Sequence, residues 1–316
     1  MEISIVILAA GAGTRMKSSR PKVLQPLAGR PLLQHVIDYS RHVGASDICV
    51  VYGHGGDDVQ AEMAAESLRW ALQEEQLGTG HAVQQAMPET PDEHRVLILF
   101  GDVPLLRPET LARLLDSCGP DEVGVLTVDL DKPFGYGRII RKNGAVLRNV
   151  EERDATAAEK AIVEINTGVM CAPASKLKDW LGRLKSDNSQ GEYYLTDVLG
   201  MAVADGTVVH GIKAESQVEI MGINDRKQLA EAERALQRRL VDQLMEQGVS
   251  FADPARVDIR GELTCGKDVF IDANAIFEGT VSLGDNTKIE SNNLIRDSEI
   301  GPDTTIHSNC HIESAT

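Results

Sequence analysis

Chemistry in this chain is concentrated in residues 8 to 22, Leu-Ala-Ala-Gly-Ala-Gly-Thr-Arg-Met-Lys-Ser-Ser-Arg-Pro-Lys, where small residues are followed by fixed positive charge. Gly11 and Gly13 carry no Cβ, so backbone N–H groups there can approach a ligand closely, and Arg15 and Lys22 can neutralise phosphate. The stretch reads as a cradle for a nucleoside triphosphate. Two other phosphate loops are excluded: Met16 fills the third small position of the dinucleotide fingerprint, with no acidic residue at the ribose distance, and no Lys-Ser/Thr pair closes a Walker loop. Asp102 follows the apolar run Val96-Leu97-Ile98-Leu99-Phe100. A carboxylate at a strand end beside phosphates suits a hard cation, and magnesium takes only one or two protein oxygens. Asn224 can supply the second, with Asp225 as a competitor that could equally be a helix N-cap. Gln73, ahead of Gly78-Thr79-Gly80, brings an amide that can pair with a pyrimidine edge. Taken singly, Gln73 is an exposed polar residue, Lys22 a solvated lysine and Asp102 a turn residue before Pro104. Their glycine-rich company and the closing Pro21-Lys22 favour the site.

The elements that must position these residues alternate. Ile3 to Leu8, Ile48 to Tyr52 and Val96 to Phe100 read as strands, with Leu32 to Val43 and Thr110 to Ser117 as helices between them, the α/β signature. Apolar runs without alternation predict a mainly parallel sheet covered on both faces, with ligands at the carboxyl ends of its strands. From Asn224 or Asp225 a single amphipathic helix carries Leu229, Leu236, Leu240 and Leu244 and stops at Gly248, in the manner of a linker. Beyond residue 250 the period changes. Ile271, Phe277, Leu283 and Ile289 recur every six residues, the register slips by one after Ile295, and Ile300, Ile306 and Ile312 resume it. Such a hexapeptide repeat marks a β-helix whose stacked coils share one core.

Composition narrows the partners. The 316 residues exceed one typical domain, and 42% apolar content suffices for a sizeable core. A formal net charge of -16 makes nucleic acid or an anionic membrane surface a poor partner, so an anionic substrate must meet a local basic patch or a metal. Cys49, Cys118, Cys171, Cys265 and Cys310 are scattered and odd in number, which indicates neither a disulfide framework nor a zinc site and suits a reducing cytoplasm. No segment has the length of a membrane span or the pattern of a signal peptide. His35, His54, His81 and His210 show no ligand spacing and read as structural or exposed, and His307 and His311 match no catalytic pattern.

The loop of residues 8–22 resembles that of the sugar-phosphate nucleotidyltransferase family. Leu77-Gly78-Thr79-Gly80-His81-Ala82, Phe100-Gly101-Asp102-Val103-Pro104-Leu105, Gly135-Tyr136-Gly137-Arg138, Val150-Glu151, Glu164-Ile165-Asn166-Thr167-Gly168 and Gly222-Ile223-Asn224-Asp225-Arg226 follow in the family's order. The set is similar to the members that join an N-acetylglucosamine-1-phosphate uridylyltransferase to a glucosamine-1-phosphate acetyltransferase. The resemblance implies a Rossmann-like uridylyltransferase domain over 1–226, a linker helix over 227–247, and the start of a left-handed parallel β-helix over 248–316. It implies magnesium-dependent formation of UDP-N-acetylglucosamine and pyrophosphate from UTP and N-acetylglucosamine 1-phosphate, in a bacterial cell-envelope pathway. Leu8, Ala9, Ala10, Gly11, Gln73, Gly78, Thr79, Phe100 and Gly101 then hold the nucleotide, and Arg15 and Lys22 its phosphates. Asp102 and Asn224 hold magnesium, and Gly137, Glu151 and Asn166 hold the amino sugar. Position 12 is Ala where members often carry a longer polar or basic residue, which removes one phosphate contact. Related enzymes for another base or sugar, or a sugar-nucleotide sensor without turnover, remain open alternatives. The family's β-helices form homotrimers and carry the acetyl transfer; with few coils before Thr316, a longer parent protein is expected, and no acetyl transfer from this chain.

Overall fold

This computed structural model describes residues 1–11, 13–53 and 56–316, so Ala12 and His54 lie outside the described residues. The chain groups into two units, residues 1–24 with 32–224, and residues 25–31 with 225–316.

The first unit is built on the apolar runs. Ile3–Leu8 lies between Arg95–Phe100 and Asp47–Gly53, parallel to both, and Arg69–Gln73 extends the parallel set beyond Asp47–Gly53. Their carboxyl ends therefore share one edge, where Leu8, Gly53, Gln73 and Phe100 terminate. Val209–Lys213 runs parallel to Val123–Asp129 at the other end of the sheet. The strand Glu164–Pro173 is antiparallel to both its neighbours, Arg95–Phe100 and Val123–Asp129. The sheet is mainly parallel, as its apolar runs predict; the reversed strand is equally apolar because burial on both faces selects the same residues in either direction. The hairpin Arg138–Lys142 with Ala145–Val150 joins through Ile165 opposite Arg138.

Alternate residues of the central strands face two cores. Val6 and Ile98 meet Val83, Leu177, Trp180 and Leu199, from the helices Thr79–Ala86, Ala174–Arg183 and Asp197–Ala204. Ile5, Ile7, Leu97 and Leu99 meet Leu33, Ile37, Leu111 and Leu114, from Leu32–His42 and Pro108–Asp116. This doubly covered sheet leaves its strand ends for ligands.

The second unit opens with the helix Arg226–Glu246, N-capped by Asp225, whose carboxylate accepts from Gln228 N at 2.9 Å. Gly248, at φ 101, follows its end. Two ladders of parallel strands come next. Val257 pairs with Ala275 and Phe277 with Ile295, steps of one full coil, while Leu283 pairs with Ile300, one residue shorter. The slip falls where Gly279 and Thr280 face Asp297, just after Ile295. Ile271, Phe277, Leu283, Ile289, Ile295 and Ile300 are buried, and corners at Asp268, Asn274, Asn286, Asn292, Asp303 and Asn309 are left-handed, a conformation that Asn and Asp tolerate. Two features differ from the sequence division. Val241 and Leu244 of the helix pack into the β-helix core, so the helix is part of that unit. Residues 25–31 group with 225–316, held by Arg226 Nη1 donating to Gln25 Oε1 at 2.8 Å and Ala28 N donating to Glu233 at 2.7 Å.

Candidate functional site

At the shared edge of the parallel strands, a cavity of about 260 Å³ is lined by Leu8, Ala9, Ala10, Gly11, Lys22, Gln73, Gly78, Thr79, Phe100 and Asp102, together with Val23, Gln76, Ala82 and Glu192. Ala9 N donates to Val51 O at 2.8 Å and Gly101 N to Leu8 O at 2.9 Å, which carries the strand geometry into the glycine-rich loop. Small residues are required there by space. A Cβ on Gly13, at φ 59, would stand 2.7 Å from Lys22 Cβ. Gly101 is packed behind the cavity, with a Cβ position 3.2 Å from Val23 Cγ1.

Lys22 is the centre of the polar arrangement. Its ammonium donates to Asp102 Oδ2 and, at 3.1 Å, to Asn224 Oδ1. Residues far apart in sequence thus converge on one cation. Ile223 N donates to Asp102 O at 2.8 Å, which fixes the segment delivering Asn224. Asp102 and Asn224 offer two hard oxygens directed at a common point, a donor set suited to a divalent ion that keeps water and phosphate for its other positions. Asp225 is engaged in capping. Among the described residues no cluster of three or more Asp, Glu, His or Cys could hold a metal ion. The Asp102 charge extends to two tyrosines. Burial and this carboxylate push the Tyr136 hydroxyl up, and Tyr39, which donates to Val103 O at 2.9 Å, rises well above the ordinary range for the same reasons.

The far wall is a braced turn. Gln73, 3% exposed, donates to Gly78 O at 3.1 Å. Gly78, at φ 110, has no room for a Cβ, which would meet Tyr193 O at 2.7 Å. Tyr193 N donates to Leu77 O and Gly80 N to Tyr193 O, both at 2.8 Å, and Leu195 N donates to Thr79 Oγ1 at 3.2 Å. Gln76 donates to Ala10 O at 2.7 Å and ties this wall to the loop. Gln76 and Glu192 escape sequence reasoning. A second glutamine in a polar stretch carries no pattern, and Glu192 arrives through pairing across the fold.

Gly137, Glu151 and Asn166 form a second group outside this lining. Asn166 N donates to Gly137 O at 2.9 Å, and Asn166 Oδ1 accepts from Gly168 N at 2.8 Å. Glu151 accepts from Asn149 Nδ2 at 2.7 Å and from Thr196 Oγ1 at 2.8 Å, and it borders a separate cavity with Tyr194 and Asp197. A Cβ on Gly137 would stand 2.4 Å from Asn149 Oδ1, a buried oxygen with no hydrogen-bond partner among the described residues. The Phe100 ring, packed on Gly168, links the two groups. Arg15 sits exposed on the 3-10 turn Thr14–Met16 and does not line the cavity beside Lys22.

Known proteins resemble this chain over most of its length. Residues 5–181 match the MobA-like NTP transferase domain family. The chain is 54% identical over 313 residues to the bifunctional protein GlmU of Janthinobacterium sp. (strain Marseille), covering 99% of this chain and 69% of the relative. It is 53% identical to the same-named protein of Azoarcus sp. (strain BH72), over 98% of this chain and 69% of that one. For Herminiimonas arsenicoxydans the identity is 51%, over 99% and 70%.

Proposed function

The chain belongs to the family of bifunctional GlmU proteins and contains a MobA-like NTP transferase domain, and from that premise we infer that it is a UDP-N-acetylglucosamine diphosphorylase. It transfers UMP from UTP to N-acetylglucosamine 1-phosphate. A phosphate oxygen of the sugar phosphate attacks the α-phosphorus, the bond to the β-phosphate oxygen breaks, and pyrophosphate leaves. The observation that carries the reading is the convergence of Lys22, Asp102 and Asn224 beside the cavity lined by Leu8 to Gly11, Gln73, Gly78 and Thr79.

The protein's part in such a displacement is positioning and charge. Backbone N–H groups of the loop and the Lys22 ammonium hold the triphosphate, with Arg15 at the loop's outer side. The Gln73 amide and the Gly78-Thr79 turn select uracil. Phe100 and Gly101 shape the cavity floor. Gly137, Glu151 and Asn166 bind the hydroxyl and acetamide groups of the sugar, which require directional donors and acceptors. The family uses a divalent metal, and magnesium at Asp102 and Asn224 would offset charge on the α-phosphate and the departing pyrophosphate. We assign homotrimer assembly to the coils of residues 250–316, checked by a light-scattering mass of three chains. Among the described residues no helix is long and apolar enough to cross a membrane.

The test is magnesium-dependent pyrophosphate release with UTP, CTP and dTTP, each against several sugar 1-phosphates. UTP with N-acetylglucosamine 1-phosphate should exceed every other pair, and Asp102→Ala should abolish turnover while leaving thermal unfolding cooperative. A preference for another pair refutes the substrate assignment, and near-normal turnover of Asp102→Ala refutes the metal site.

A further inference from the structure

We propose that Cys118 and Cys171 form an oxidisable dithiol, at which a hydroperoxide converts two thiols into one reversible disulfide. Cys118 follows the helix Pro108–Asp116 and is partly exposed; Cys171 lies buried in the strand Glu164–Pro173, opposite Gly124. The two sulfurs share the space that Gly124 leaves open. A Cβ there would stand 2.6 Å from Cys118 Sγ and 3.0 Å from Cys171 Sγ. Both thiols also reach the Leu114 carbonyl, at 3.5 and 4.0 Å. A side chain larger than glycine at position 124 would drive the sulfurs apart.

The surroundings make the two thiols unlike. The Ser117 hydroxyl lies 3.3 Å from Cys118 Sγ. Arg95, 6% exposed, donates through Nη1 to the carbonyls of Leu115 and Cys118 at 3.1 and 3.0 Å, and His210 is paired with Glu122 at 2.9 Å. The hydrogen bond from Cys171, helped by Ser117, Arg95 and His210 and opposed by burial, pushes the Cys118 thiol down to about 6. The same contact, with burial, pushes Cys171 up. At neutral pH Cys118 is the nucleophile and Cys171 the resolving thiol. Burial pushes Cys265 up to about 11, and it pushes Cys49 up to about 11 against the opposing charge of Arg69.

The step balances. The Cys118 thiolate attacks one peroxide oxygen; an S–O bond forms, the O–O bond breaks, and the leaving oxygen takes a proton as water or an alcohol. Cys171 then attacks the sulfenic sulfur; an S–S bond forms, the S–O bond breaks, and hydroxide leaves as water with the Cys171 proton. Two thiols are oxidised, and the hydroperoxide is reduced by two electrons. A dithiol reductant reverses the result.

The experiment treats the whole chain with hydrogen peroxide at pH 7, blocks remaining thiols with N-ethylmaleimide and maps the peptides by mass. A Cys118–Cys171 disulfide should be the first oxidation product and should disappear with dithiothreitol. Iodoacetamide should label Cys118 at least ~10-fold faster than Cys265. In Cys171→Ser, dimedone should trap a sulfenic acid on Cys118. The wild-type mapping decides the matter even if that variant does not fold. Oxidation of Cys118 without the disulfide, or labelling no faster than at Cys265, overturns the proposal.

Discussion

Lys22→Met separates two roles that the geometry gives one ammonium. Its side chain is 11% exposed and that of Asp102 19% exposed, so the pair is mostly removed from water. At an effective dielectric near 20, two charges this close attract by about 4 kcal/mol, part of which offsets their desolvation. Deleting one partner of a fully buried pair costs roughly 3–5 kcal/mol. Because Asp102 keeps some contact with water, about 1–2 kcal/mol is expected here, read from urea unfolding without ligands. Magnesium should then raise the melting temperature of Lys22→Met more than that of the wild type, since the ion replaces the missing positive charge on Asp102. Turnover has a different magnitude. One fixed cation lost from the transferring phosphates costs roughly 2.7–4 kcal/mol in the transition state, about 10²- to 10³-fold in pyrophosphate release. A double-mutant cycle with Asp102→Asn should show coupling of at least ~1 kcal/mol in stability. Additive single effects, with turnover within ~10-fold of wild type, would refute the pairing and the phosphate role together.

Other perturbations test the walls of the site and the sheet beneath it. Gly78→Ala forces a side chain into φ 110 and against Tyr193 O; the strain of roughly 1–3 kcal/mol should lower the melting temperature and raise KM for UTP, and an unchanged KM would free this turn from the nucleotide role. Gln76→Ala removes the tie to Ala10 O and should raise KM for UTP about 5- to 10-fold with kcat nearly kept, reflecting roughly 1 kcal/mol for one hydrogen bond; steady-state kinetics decide it. Glu164 offers a pH test. Burial opposes its ionisation, but Arg141, at 2.6 Å, and Thr127 win and hold its carboxyl below the ordinary range. The ion pair's contribution is therefore complete above the ordinary carboxylate range and lost as pH falls through the depressed native value. Glu164→Gln should destabilise at pH 7, by an amount that shrinks in urea unfolding as pH falls below the ordinary carboxylate range; a pH-independent difference would exclude the pair as its cause.

What the sequence makes legible is set by the range over which each physical cause acts. Apolar runs reveal Ile3–Leu8, Asp47–Gly53 and Arg95–Phe100, because burial of a strand is written in its own residues. The slip after Ile295 is legible for the same reason, since each coil contributes one inward aliphatic to a stack whose period is local. Strand direction is not local. The direction of Glu164–Pro173 shows only in its pairing with Arg95–Phe100 and Val123–Asp129. The place of residues 25–31 in the second unit rests on Arg226 and Glu233, about two hundred residues later. The site shows the same divide. Gly11, Gly13 and the end of the strand before Asp102 are visible as types in a pattern, because a phosphate cradle needs absent side chains and a carboxylate at a strand end. That Lys22 meets Asp102 and Asn224 follows only when parallel strands bring their carboxyl ends together. Glu192 enters the cavity wall because Tyr193 pairs with Leu77, a contact that no spacing announces. Motifs therefore identify the parts that touch backbone or bear charge, while the partners that hold them in place are chosen by topology. For that reason the Lys22 and Asp102 pair, legible singly and joined only by the fold, is the point at which mutation tests sequence and structure at once.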